Sequence, residues 1–290
     1  SQQQRNNTEI IMLLSLYALA GYKLMPALQG IYQGITQLKY HKSAIDLISN
    51  DFSRSTRNIT LSGESSNPIH FNRNITLHGV NYKYSGTDST ILSNVELEIS
   101  IHSTVGFVGK TGSGKTTIVD ILIGLLCPSS GKLRVDDVEI VENNVREWHK
   151  HIGYVPQNIY LTDDSLVNNI ALGIKNTDID YEIIERVLIQ TELIDFVRSL
   201  PNGYKSMVGE QGVRLSGGQK QRIGIARALY LNPDVLVFDE ATSSLDVMTE
   251  KKIMSSIQYL SSNKTIIIIA HRLTPVKKCD VIYFMEFGKI

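Results

Sequence analysis

Apolar residues recur along this chain in two different patterns. Between Glu9 and Lys23 runs IIMLLSLYALAGY, and apolar positions continue past Pro26 through Leu28, Ile31, Ile35, Leu38, Ile45 and Ile48. Spacings of three, four and seven describe one face of a helix, so residues 9–49 are predicted to be mostly helical. The first run by itself is shorter than the ~20 residues that cross a bilayer, and it lacks the basic start and small-residue cleavage site of a signal peptide. From Asn50 the sequence turns polar and rich in Ser, Asn, Gly and Pro without helical period, which predicts a linker over residues 50–70. The second pattern follows it. Five short apolar runs begin at Val105 (VGFVG), Ile152 (IGYVP), Val235 (VLVFD), Thr265 (TIIIIA) and Val281 (VIYFM). Such runs read as strands buried on both faces, and hence as a mostly parallel sheet covered by helices. Helical stretches are predicted from Ser113 to Leu125, Tyr181 to Leu200, Gly217 to Leu231 and Asp246 to Leu260, giving a βα alternation. Ahead of it, Ile75 to Tyr84 and Val95 to Ile99 alternate more loosely and predict an antiparallel flank. The expected fold class is α/β with a β subdomain.

Composition changes this picture little. Lysine and arginine total 29 against 29 acidic residues, a balance that argues against nucleic acid as a partner. Cys127 and Cys279 stand far apart and outside any metal-type spacing, which favours a reducing, cytosolic setting for the bulk of the chain. The chain opens on Ser1 and stops at Ile290 just after the last apolar run, so both ends, the carboxyl end above all, read as cut from something longer.

The candidate chemistry lies where the apolar runs stop. Gly109-Lys110-Thr111-Gly112-Ser113-Gly114-Lys115-Thr116 fits GxxxxGK[ST], directly after a strand and opening a helix. Glycines let backbone N–H groups wrap phosphates, and the helix N-terminus adds partial positive charge. Lys115 would reach the β and γ phosphates and Thr116 would ligate magnesium; Thr117 follows them as a further nucleotide-binding candidate. The run ending in Asp239 and Glu240 puts two carboxylates at the same edge of the sheet. Asp239 would hold magnesium through water, and Glu240 would polarise the water that attacks the γ-phosphate. Gln157 and His271 follow two more runs, so four of the five converge on one edge. Leu215-Ser216-Gly217-Gly218-Gln219 opens a helix with Ser216 as a natural cap, and its glycines let a phosphate approach backbone N–H groups. The chain thus owns two phosphate-gripping devices but one nucleotide loop, a mismatch resolved if the second grips a nucleotide held by another copy.

At these residues the chain resembles the nucleotide-binding domain of ABC ATPases: GKTGSGKT, LSGGQ, VLVFDEATSSLD and His271, over residues 71–290. The resemblance implies a phosphate-loop sheet with an antiparallel β subdomain and a helical subdomain. It also implies a head-to-tail dimer that sandwiches two ATP molecules, with Mg2+, between one copy's phosphate loop and the other's LSGGQ. By the same resemblance Tyr84 would stack on adenine, and Gln157 would sense the γ-phosphate, join the magnesium ligands and face the membrane domain. Ser243 to Asp246 would cross the interface, His271 would hold the γ-phosphate and Glu240 would be the catalytic base.

Within that family the chain resembles exporters whose membrane and ATPase domains are fused. Asp164 to Ile170 follows Gln157 as the coupling segment does there, and Gly209 to Gly212 precedes LSGGQ as the cross-interface loop does. Residues 1–49 would then be the end of the last transmembrane helix and its cytosolic extension, placing the chain at the cytoplasmic face of the inner membrane. The stretch Leu16 to Leu28 is similar to that of bacterial lipid-linked oligosaccharide flippases, so the cargo expected is lipid-linked or otherwise amphipathic. Multidrug, lipid or peptide export is the alternative. A soluble ABC ATPase without membrane domain is disfavoured by the neutral charge and by the lack of a coiled-coil insertion or second cassette.

Overall fold

The computed structural model describes residues 2–58, 68–84, 86–87, 89–241, 248–253, 255, 263–270 and 276–290. It divides into two units, residues 1–63 and 64–290.

The first unit is one helix, α1 (Gln2–Asn58), with Pro26 inside it. Its described side chains from Ile10 onward are almost all exposed, Leu13, Leu16, Leu24, Ile31 and Leu38 among them. Over Ile10–Ser49 the helix is long and apolar enough to cross a membrane. At 1.5 Å per residue that stretch spans about 60 Å, twice the ~30 Å hydrocarbon core. The helix continues to Asn58, into the stretch expected to be linker. A helix already nucleated adds residues cheaply, and the sequence has no Gly or Pro between Gly34 and Gly63.

The second unit holds two sheets. In chain order come β1 (Asn74–Lys83), β2 (Thr90–Ser100), β3 (Thr104–Gly109), α2 (Lys115–Leu122), β4 (Ser130–Val135), β5 (Val138–Glu139), α3 (Val145–His149) and β6 (Ile152–Val155). Then follow α4 (Leu166–Ile170), α5 (Tyr181–Gln190), α6 (Ile194–Ser199), α7 (Gly217–Tyr230), β7 (Val235–Asp239), β8 (Thr265–Ile269) and β9 (Val281–Met285). The five apolar runs form one sheet of order β6-β7-β8-β3-β9, parallel at every pairing. Strand alternation sends Val235, Val237, Ile267 and Ile269 into a core shared with Ile118, Ile121 and Trp148. Leu236, Phe238, Ile266 and Ile268 go to the opposite core with Ile223, Ile225 and Leu229 of α7. β7 and β8 are buried throughout, as a two-sided strand requires. β9 departs from that expectation: it lies at the sheet edge, and Val281, Ile282 and Phe284 are exposed.

The antiparallel flank forms a second sheet, β2-β1-β4-β5, and includes two short strands that the apolar pattern did not mark. The predicted helix from Tyr181 to Leu200 is two helices. Glu192 takes a left-handed φ of 55°, Leu193 N–H returns to Leu188 O at 2.8 Å, and the break lets Leu193 enter the core. The Asp246–Leu260 stretch lies largely outside the described residues.

Trp148 links α3 to the base of α2. It is fully buried, donates Nε1–H to Leu122 O at 2.9 Å and meets Phe71 edge-on at 6.0 Å. Trp148→Ala is expected to lower unfolding free energy by about 3–5 kcal/mol, read from urea unfolding of the purified chain. A loss under about 1 kcal/mol would show that this core can collapse around the gap.

Candidate functional site

Parallel register carries the strand ends to one edge. Val105 to Gly109 of β3 pairs with Val281 to Met285 of β9, Asp239 of β7 stands opposite Ile269 of β8, and Val155 of β6 stands opposite Phe238. The loop after β3 turns into α2 through Gly112 and Gly114, at φ 80° and 101°. That left-handed backbone costs an L side chain roughly 1–2 kcal/mol. A Cβ on Gly114 would also lie 2.8 Å from Leu92 Cδ2. Gly114 caps α2, and Ile118 N–H bonds its carbonyl at 2.9 Å.

Lys115 is only 5% exposed. Its ammonium donates to Gly109 O and Lys110 O, both at 2.9 Å. Burial lowers its pKa, while the carboxylates of Glu240 and Asp239 oppose that fall. Asp239 is 6% exposed and accepts the Tyr154 hydroxyl on Oδ2 at 3.3 Å. Burial first, and then the charge of Glu240, push its pKa up. Glu240 sits at φ 50°, with its N–H on Ile269 O at 3.1 Å and its Oε2 receiving Gln157 Nε2 at 3.0 Å. Ser113 Oγ is buried without a hydrogen-bond partner among the described residues, an unfilled oxygen in the middle of the loop.

Lys115, Gln157 and Glu240 border a cleft of about 640 Å³, lined with them by Tyr84, Ile91, Thr111, Gly112, Gly114, Thr116 and Thr117. The volume suits a nucleotide-sized ligand, and every lining residue except Ile91 is one that the motifs single out. Tyr84 is 42% exposed, crosses Tyr82 edge-on at 5.0 Å and lies within 3.4 Å of Thr117 Oγ1 through its hydroxyl. Ser216 to Gln219 is not among the lining residues. There the Ser216 hydroxyl accepts Gln219 N–H at 3.3 Å while Gln219 Oε1 accepts Ser216 N–H at 2.8 Å, a reciprocal cap on α7. The Gln219 side chain is thereby committed to its own helix, and Gly217 and Gly218 open the first turn. Asp246 and His271 lie outside the described residues.

A family model described as "ABC transporter" matches residues 92–243, from β2 past Glu240. The chain belongs to the ABC transporter family. An ATP-dependent lipid A-core flippase of Chromobacterium violaceum is 38% identical over 216 residues, 74% of this chain and 37% of the relative. The alpha-hemolysin translocation ATP-binding protein HlyB of Escherichia coli O6:H1 is 39% identical over 222 residues, 76% of this chain and 31% of the relative. Among solved structures, a bacterial Atm1-family ABC exporter with ATP bound superposes with a TM-score of 0.73 at 35% identity, over 78% of this chain and 39% of that one. The chain spans less than two fifths of each. The second unit carries the matched ABC transporter domain.

Three contributors escaped the motif reading. Ile91 lines the cleft from β2, and Tyr154 engages Asp239 from β6. Arg227 of α7 donates to Asn169 O at 2.8 Å and Tyr160 O at 3.0 Å, tying that helix to the segment after Gln157. Each acts across the fold, at no fixed distance in sequence from its partner.

Proposed function

We propose that the chain binds Mg2+-ATP in the 640 Å³ cleft and hydrolyses it in a head-to-tail dimer, driving a fused transmembrane domain that moves an amphipathic or lipid-linked cargo. The observation that carries this reading is the confrontation of a buried Lys115 with Asp239 and Glu240 at the mouth of a glycine loop. The residues fit the cation. A Thr116 hydroxyl, an Asp239 carboxylate and a Gln157 amide are hard oxygen donors of the kind magnesium prefers. The buried Asp239, its pKa raised by burial and then by the charge of Glu240, favours a cation beside it. Held by Thr116, Asp239 and Gln157, magnesium would supply positive charge against the phosphates.

The chain's own residues supply the rest. Loop N–H groups and Lys115 hold the phosphates, and the orphan Ser113 Oγ offers one more hydrogen bond. Tyr84 presents its ring to the base. Glu240, steadied by Gln157 at 3.0 Å, takes the proton of the attacking water. Ser216 and the N–H groups of Gly217 and Gly218 complete the site on a second copy, with Asp246 at the interface and His271 on the γ-phosphate. The exposed apolar face of α1 supports a place at the cytoplasmic face of the inner membrane, and the flippase names among the relatives support a lipid-like cargo.

A shared site makes turnover second order in protein. In detergent, which covers α1, phosphate release per chain should rise with chain concentration until dimers saturate. A rate per chain independent of dilution would overturn the shared site, and no phosphate release at any concentration would overturn hydrolysis itself.

A further inference from the structure

Tyr154 belongs to no motif, yet it bonds the most buried acid of the site. It stands on β6 opposite Val237 of β7. Residues two apart on a strand share a face, so Tyr154, Val237 and Asp239 look to the same side of the sheet, the side of the α2 core. From there the phenol reaches toward the carboxyl edge and donates to Asp239 Oδ2 at 3.3 Å. With Asp239 only 6% exposed, water has little access to take that oxygen instead. A donor on one oxygen restrains the carboxylate and leaves Oδ1 without a hydrogen bond among the described residues. Apolar packing alone would be served as well by phenylalanine; the hydroxyl is the part that packing does not call for.

We infer that Tyr154 is a positioning residue, whose hydroxyl holds one oxygen of Asp239 and so aims the other at the magnesium shell of the bound nucleotide. The inference rests on the proposed magnesium role of Asp239. It separates Tyr154 from the residues that touch phosphate: the hydroxyl matters only when the cation is present.

The test is binding of a fluorescent ATP analogue to the full chain in detergent, first in EDTA and then across a magnesium titration. In EDTA, Tyr154→Phe should bind within about twofold of wild type, because no phosphate contact has changed. With magnesium, it should need roughly three- to tenfold more cation for half-maximal gain in affinity, the worth of one misplaced hydrogen bond. Tyr154→Leu removes the ring as well and controls for packing: the same magnesium shift should appear, with an added drop in unfolding temperature. A Tyr154→Phe titration that overlays wild type overturns the inference, as does a shift confined to Tyr154→Leu. If the wild-type chain itself gains no affinity from magnesium, the magnesium role of Asp239 falls too, and the two failures are told apart by that one control.

Discussion

Glu240→Gln is expected to slow phosphate release by at least ~100-fold while leaving ATP bound. Glutamine matches the carboxylate in size and can keep a hydrogen bond to Gln157, now 3.0 Å from Oε2. What it loses is the anionic, basic oxygen that the proposed role needs to take a proton from water. The backbone at this position is already committed: φ is 50°, a conformation costing an L residue roughly 1–2 kcal/mol, and the N–H is anchored to Ile269 O. Strain of that kind at a strand end, next to the buried Asp239, is a common mark of a functional position. Because the substitution leaves strain and anchor alone, unfolding temperature should not move, and a change in rate can be assigned to chemistry. Gel filtration with ATP should then show the variant held as a nucleotide-loaded dimer. Turnover equal to wild type would remove Glu240 as the base and leave its strained backbone without a chemical purpose.

The second large effect is expected at Lys115. Its ammonium lies 2.9 Å from two loop carbonyls and within the field of Asp239 and Glu240. An incoming triphosphate offers stronger acceptors than carbonyl oxygens, so the lysine should exchange partners with little movement of its stem. Lys115→Met keeps the apolar stem and removes the charge. Charge-assisted hydrogen bonds contribute about 1.5–3 kcal/mol, so ATP affinity should fall roughly 10- to 150-fold. Titration with a fluorescent nucleotide reads this directly. An affinity unchanged by the substitution would mean that the loop N–H groups alone carry the phosphates.

The two variants fail at different steps. Glu240→Gln is expected to bind and turn over far more slowly; Lys115→Met is expected to lose the nucleotide before chemistry begins. Applied together with the magnesium titration of Tyr154→Phe, they separate binding of phosphate, placement of the cation and proton transfer.

Much of this was legible in the chain itself, because the information was local. A strand buried on both faces must be apolar at every position, so VLVFD and TIIII announce themselves, and they form the central strands β7 and β8. GKTGSGKT needs its glycines within one turn, and Gly112 and Gly114 take the left-handed backbone that their spacing implies. The S-x-x-Q of the α7 cap is likewise contained in four residues, and it forms as a reciprocal box. Local chemistry of this sort survives whatever surrounds it. β4 and β5 were not legible, since SGKLRV and VE carry no apolar run and become strands only by pairing with β1 and each other. The break at Glu192 was hidden as well, because the drive to bury Leu193 comes from the core rather than from the helix. So was the exposure of β9, whose apolar residues look like those of a central strand while its edge position leaves them uncovered. By itself the sequence determined the buried strands, the left-handed glycines of the loop after β3 and the cap of α7, since backbone conformation and hydrogen bonding act over a few residues. Only the tertiary structure decided that Tyr154 would hold Asp239 and that Ile91 would wall the cleft, because those contacts join strands whose pairing depends on burial summed over the whole domain.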